Sequence, residues 1–327
     1  MKHYYCFVLL IEKLIFNNKL YIVSVFVMRL FAVNPQEFTT SRGKIEYNLA
    51  GEPTFTPAEL PDNIEFSLEL VNLLSSADRK LGELCGVVEQ LPRPELITAS
   101  FVARESVFSS RIEGTHASLS DVLKAEVEPL VQKSRDAIET SNAVNAVSFG
   151  LDNAQIEIVP LVKKMHEILF NGLETYGVKG EFRAQQNFIG PTSRIEDARY
   201  IPPMPEKIPR LMLSFQEYFD KNHQLPPLVK AALLHYQFET IHPFIDGNGR
   251  IGRSLITLFL LRKKVLNRHV LFLSEYFYKY RGEYEDRLLT ANKTGDFNPW
   301  FKLFLVAVIE QSQAAIETTT ALVNLKE

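Results

Sequence analysis

A chain of 327 residues, 46% hydrophobic and 23% charged, has the make-up of a globular protein of one large domain or two ordinary ones. Its net charge of −3 supplies no basic excess for nucleic acid or an anionic membrane surface. The two cysteines, Cys6 and Cys85, are too few for a disulfide framework and lack metal-ligand spacing, which fits a reducing, cytoplasmic setting.

The chain opens with two apolar runs, residues 4–11 and 20–28, interrupted by Glu12, Lys13 and Lys19. Neither reaches the roughly 18–20 residues of a membrane-spanning helix, and no small-residue cleavage site follows cleanly. We read Met28 as the natural start and set residues 1–40 apart from the fold. Apolar residues then recur at helical spacing through 63–91: Leu70, Leu73, Leu74, Ala77, Leu81, Leu84 and Val88. The segment LPRPE breaks the pattern. A second helix is predicted over 95–113, stopped by Gly114. Further helical patterns cover 135–153, 159–173, 207–222, 228–241, 250–264 and 298–320. Between them, FRAQQNFIGPTSRIEDARYIPPMP holds two short extended runs around a Gly-Pro turn and reads as a hairpin ending at Pro202-Pro203. Its open edges suit an extended peptide. No internal repeat appears. The expected fold is all-α with one exposed β-hairpin.

Residues 242–253, HPFIDGNGRIGR, concentrate the chemistry. Gly247, Gly249 and Gly252 spell G-x-G-x-x-G, but the segment before them is helical, so the strand a dinucleotide fingerprint requires is absent. No Walker A loop occurs, and DGNG lacks the remaining ligands of a calcium loop. The consistent reading is helix, loop, helix. His242 ends the first helix ahead of Pro243, and Gly247-Asn248-Gly249 allows close backbone approach. The second helix then presents unpaired amides to an anion. Arg250 and Arg253, three apart, share a helical face and suit a polyphosphate. Asp246 beside phosphate oxygens suits Mg²⁺, and His242 is a base in reach of the same site. Together these describe nucleotidyl or phosphoryl transfer. His235, one heptad before His242, reads as packing.

The motif resembles the HPFx[DE]GNGRxxR signature of the Fic family and matches every defined position. GEFRAQQNFIG with YIPPMP resembles the family's flap, and SEYFYKYRGEYEDRLLTANKTGD with Trp300 its later helices, so the similarity runs over about residues 60–320. The resemblance implies a Fic-type helical core at 135–300 and an N-terminal helical region at 41–134. It leaves 301–327 as a C-terminal helix, beyond which relatives often carry a winged-helix DNA-binding domain. It also implies AMP transfer from ATP to Tyr, Thr or Ser hydroxyls of target proteins. His242 would be the base and Asp246 the Mg²⁺ ligand. Amides of Gly247, Asn248 and Gly249, with Arg250, would stabilise phosphate charge, Ile251 and Gly252 completing the segment. Arg253 would take the γ-phosphate. Tyr284 and Asn292 would lie near the nucleoside, and the flap around Ile195 would cover the adenine side and align the target.

SSRIEG resembles the family's inhibitory motif through Ser109, Glu113 and Gly114, with Arg253 the implied partner of Glu113. In some members the same glutamate orients water for AMP removal, so a de-AMPylase or bifunctional enzyme is the alternative. A non-catalytic regulator of toxin–antitoxin type is a third reading, opposed by the intact motif. Expected partners are ATP, a hydroxyl-bearing target protein docking on the flap, the chain itself as substrate, and a second copy. Nucleic acid and membrane are not expected.

Overall fold

The computed structural model describes residues 33–91, 93–116, 118, 120, 134–222 and 224–324, so the apolar runs before Met28 lie outside it. Among the described residues there are ten helices and one two-stranded sheet. The strands β1 (Gly43–Tyr47) and β2 (Pro53–Pro57) pair antiparallel, with Gly43 opposite Pro57. The helices follow as α1 (Leu68–Glu89), α2 (Pro94–Ile112), α3 (Arg135–Asp152), α4 (Ile158–Leu169) and α5 (Ile208–Asp220). Then come α6 (Pro227–Ile241), α7 (Asn248–Arg262), α8 (Ser274–Lys279), α9 (Arg281–Thr294) and α10 (Asn298–Asn324). No helix of the described residues is long and apolar enough to cross a membrane.

Local chemistry sets the helix ends. The Oγ of Ser67 caps α1 through the Leu70 amide, so this helix begins later than residue 63. Ser134 caps α3 in the same way. Pro94 opens α2 and Pro227 opens α6, where a missing N–H costs nothing.

Helices α6 and α7 form the centre. Both are buried on nearly every face; α6 is apolar almost all round, whereas α7 buries Asn248, Arg250 and Arg253 in its first two turns ahead of an apolar remainder. They pack on each other, while α3 and α4 pair beside them and α1 lies along α10. Trp300 of α10 is fully buried and donates its indole N–H to Ala232 O, pinning α10 to α6.

Two features depart from the sequence reading. The segment around Gly190-Pro191 turns back on itself, but a single bridge, Ile189 with Tyr200, replaces the expected ladder. Pro191, Pro202 and Pro203 remove the amides a longer ladder needs. The paired strands are instead β1 and β2, inside the stretch expected to be helical. Their alternation is short, and the turn is fixed by Asn48, whose Oδ1 accepts from Ala50 and Glu52 amides. This hairpin sits behind the flap: the Phe55 N–H donates to Ile201 O, and the Phe55 ring packs on Phe38 and Tyr200.

Candidate active site

Helix α6 ends at His242, which adopts a left-handed conformation (φ 49°, ψ 60°). A non-glycine residue in this region stores about 1–3 kcal/mol and needs surrounding contacts to hold it. They come from three sides. The His242 N–H donates to Phe238 O, and Arg183 donates from Nε to His242 O at 2.9 Å. The Arg183 backbone N–H donates to Pro243 O. The ring then sits with Nδ1 3.2 Å from Glu239 O. A carbonyl only accepts, so Nδ1 carries the proton and Nε2 keeps its lone pair. Burial, with the Arg183 guanidinium nearby, pushes the His242 pKa down to about 4. At neutral pH the ring is an uncharged base.

The loop after His242 is held from within. Asn248 accepts from Phe244 N–H and donates to Phe244 O, both at 2.8 Å. Asn187 also donates to Phe244 O. Gly247 (φ 77°) ends the loop, and α7 starts at Asn248, earlier than residue 250, so Asn248 and Gly249 belong to its first turn. Asp246 is exposed; its Oδ1 accepts the Gly247 N–H and stands 3.7 Å from Arg250. His166 accepts the Gly180 N–H at Nδ1, so its Nε2 donates to Asp246 O, and its ring stacks on Phe244. Arg250 is buried between Glu139 at 3.6 Å and Asp246, over the Phe170 ring.

Arg253 reaches across 144 residues of sequence to Ser109, donating from Nε to the hydroxyl and from Nη2 to the carbonyl, both at 2.9 Å. The same Nη2 donates to Glu113 Oε1 at 2.7 Å. Burial opposes the charge on Arg253, but the Glu113 carboxylate outweighs it and holds the guanidinium above its ordinary pKa. Glu113 shows the mirror effect. Burial would raise its pKa, yet Arg253 keeps it below the usual value. About a third of its side chain is exposed (34%), so the pair lies at the cavity wall rather than in the deep core. Gly114 (φ 97°) ends α2 just after it. Gly249 makes room for the ion pair: a Cβ there would lie 2.1 Å from Glu113 Oε1 and 2.7 Å from Arg253 Nη1.

Part of this set opens on a cavity of about 450 Å³ that Asp246, Gly247, Asn248 and Arg250 do not line; Arg250 instead borders a separate small space with Ser109. Glu113, His242, Gly249 and Arg253 line one end, and Tyr284 and Asn292 of α9 line another wall. Tyr284 is buried with its hydroxyl 2.8 Å from His235 Nε2, so His235 supports the wall as expected of a packing residue. Asn292 Oδ1 accepts from Thr240. Three more residues of the sequence reading also sit away from this cavity. Ile195 packs beside Val33, Ala198 and Ile201, and the flap residues at the cavity are Phe188, Ile189, Gly190 and Pro191. Ile251 is in the core. Gly252 faces α6, where a Cβ would strike Glu239 Oε1 at 2.1 Å.

Three further residues escaped sequence reasoning. Arg183 donates to three carbonyls, those of His242, Gln185 and Pro203, and so ties the flap to the loop. Nothing in its surroundings in the sequence marks it. His166, under the loop, is equally unmarked. Glu239 had a signal: it lies three residues before His242, on the same helical face.

The fold and this cavity define a helical protein with a helix N-terminus and Arg253 at its centre, a neutral histidine beside them and a flap segment along the cavity. Two family models match, Fic/DOC family over residues 159–260 and Fic/DOC family N-terminal over residues 71–152. The chain belongs to the Fic/DOC family. A probable protein adenylyltransferase of Aquifex aeolicus (strain VF5) is 28% identical over 165 residues, 50% of this chain and 49% of the relative. The protein adenylyltransferase Fic of Drosophila erecta is 41% identical over 149 residues, 40% of this chain and 28% of the relative. The chain thus spans about half the length of the first and under a third of the second. A Fic family protein from Desulfovibrio desulfuricans G20 has a TM-score of 0.65 at 25% identity, over 78% of this chain and 76% of its own. A Fic domain containing signaling protein from Bacteroides thetaiotaomicron VPI-5482 shares the fold, with a TM-score of 0.59 at 20% identity over 75% and 98% of the two chains.

Proposed function

We propose that the chain is a protein adenylyltransferase that Glu113 holds inactive. The observation that carries this reading is the neutral His242, with Nε2 unprotonated, beside the N-terminus of α7 and the Arg253 guanidinium. A target Tyr, Thr or Ser hydroxyl gives its proton to Nε2 while its oxygen attacks the α-phosphorus of ATP. The bond from that phosphorus to the bridging oxygen breaks, and pyrophosphate leaves. Amides in the first turn of α7 face the phosphates, and Arg253 takes the γ-phosphate once Glu113 withdraws. The phosphate charge raises the His242 pKa from its depressed value and so makes it a stronger base.

Among the described residues no group of three or more His, Cys, Asp or Glu could hold a metal by itself. The single exposed carboxylate of Asp246 beside the cradle fits Mg²⁺ arriving with the triphosphate, since this ion favours one or two carboxylates plus phosphate oxygens. When bound, Mg²⁺ would neutralise charge on the α- and β-phosphates. An extended target segment would lie along the flap at Ile189, Gly190 and Pro191.

A second activity is favoured by one feature. Only Oε1 of Glu113 is held by Arg253, leaving Oε2 free to orient a water for AMP removal. The deciding experiment is labelling with radioactive ATP and Mg²⁺, comparing the wild-type protein with Glu113→Gly. Weak labelling that rises in the variant supports a locked transferase. Equal labelling removes the lock. No labelling of the chain or of added target proteins overturns the transferase.

A further inference from the structure

The cavity read above as a triphosphate site holds two carboxyl groups close to its anion cradle, Glu113 and Glu239. Glu113 has a cation, Arg253. Glu239 has none. Its Oε1 is buried without a hydrogen-bond partner, and its Oε2 stands 3.9 Å from His242 Nδ1, beyond hydrogen-bonding distance. The proton on Nδ1 already goes to the Glu239 carbonyl. The carboxyl is built in rather than stranded, because α7 carries glycine at 252, the only residue that leaves space for Oε1. Oε1 is packed against Gly252, so the part of the carboxyl left to the cavity is Oε2, beside His242. A carboxylate there would be largely buried, unpaired and close to incoming phosphates, which is the costliest form the group could take.

We propose, resting on the nucleotide reading of the cavity, that Glu239 works as a neutral carboxylic acid whose O–H donates a hydrogen bond to a phosphate oxygen of the bound nucleotide. Its ionisation would set two anions against each other and weaken nucleotide binding. The charged and titratable groups around it agree with this. On its own helix stands the neutral His242, from α7 comes Arg253, from the end of α2 comes Glu113, and from α9 comes the un-ionised Tyr284. Burial first, and then Glu113, push the Glu239 carboxyl up to about 8, against the pull of Arg253. When phosphate displaces Glu113 from Arg253, the new negative charge continues to hold the proton in place. Glu239 thereby becomes a nucleotide-contacting residue in its own right, distinct from the inhibitory glutamate.

The test is calorimetric titration of ATP with Mg²⁺ into Glu113→Gly and into Glu113→Gly/Glu239→Gln, from about pH 7 to about pH 9. The amide keeps a donor and cannot ionise. The Kd of the first protein should rise about tenfold across this range, while the double variant, similar at pH 7, should stay level. A Glu239→Ala version, with no donor, should bind more weakly at every pH. Circular dichroism on each variant confirms the fold. Parallel pH dependence in the first two proteins, or a pH-independent Kd in the first, overturns the proposal and leaves the nucleotide reading standing. ATP failing to bind any of the folded proteins overturns both.

Discussion

Glu113 and Arg253 meet 140 residues apart in sequence, with Oε1 2.7 Å from Nη2, and the glycine at 249 is the reason they can. Under the proposed function the inhibitory contact and the phosphate site would therefore occupy one place, and withdrawing Glu113 would free Arg253 for phosphate. Glu113→Gly should raise labelling by roughly one to two orders of magnitude while lowering stability by only about 1–2 kcal/mol, since the pair is part exposed. Unchanged labelling beside a large fall in melting temperature would mean that the contact serves the fold alone.

Gly249→Ala should disturb the Glu113 contact and the phosphate site together. Its Cβ collides with Glu113 Oε1 and with Arg253 Nη1 together, so the lock should break without gain of activity. In the Glu113→Gly background the added methyl still crowds Arg253, and transfer should fall about tenfold or more. A double variant as active as Glu113→Gly would show that the cradle tolerates a side chain.

His242→Ala should abolish transfer, a loss on the order of 10²–10⁴-fold, with the melting temperature nearly unchanged. Single-turnover labelling in the Glu113→Gly background reads this directly. Retained activity would remove His242 from the mechanism.

Arg183→Ala should act on the same base from a distance. It leaves the carbonyls of His242, Gln185 and Pro203 without their donor, at a cost of about 2–3 kcal/mol. The strained His242 backbone then relaxes, and transfer should fall at undiminished ATP affinity. An equal fall in ATP affinity would place Arg183 in the nucleotide site instead.

Stability should peak near neutral pH. His166, His235, His242 and His269 are pushed by burial down to about 4, 3, 4 and 4. The unfolded chain binds protons at these four sites below about pH 6.5 and the native chain does not, so stability falls as pH drops from 6.5 toward 4. Glu239 works the other way. Its carboxyl is raised to about 8, so its contribution is complete below the ordinary value of 4.5 and is lost as pH rises through 8. Four histidines outweigh it on the acid side, and only the glutamate acts between 6.5 and 8. Urea midpoints should drop clearly below pH 6 and fall more gently between about pH 6.5 and 8. A midpoint constant from pH 4.5 to 6.5 would mean the histidines are not buried neutral.

What the sequence disclosed follows from how local each signal is. The helices were readable because Leu70, Ala77, Leu81 and Leu84 repeat with the helix itself, and all four are buried. The 242–253 motif was readable because its residues are neighbours, and α6 and α7 keep them so. The Glu113–Arg253 contact was reachable only through family resemblance, since no local rule pairs residues 140 apart. Arg183 had no signal, because its three acceptors are backbone carbonyls that any sequence supplies. Ile195 was assigned to the adenine side by family resemblance alone; the structure has a single bridge at Ile189, puts residues 188–191 of the flap at the cavity, and packs Ile195 beside Val33. The strands β1 and β2 went unread because five-residue runs flanked by polar turns carry little periodicity.

The packing behind the flap has a consequence for whatever lies in front of it. Phe55 pairs its amide with Ile201, its ring fills the space between Phe38 and Tyr200, and the Tyr200 hydroxyl donates to Thr240 O on α6. A segment fastened this way is a template, set before any partner arrives. The conformational entropy of matching it then falls on the incoming polypeptide. Under the proposed function, loops and unstructured tails, which give up the least native structure to become extended, are the substrates such a surface would favour.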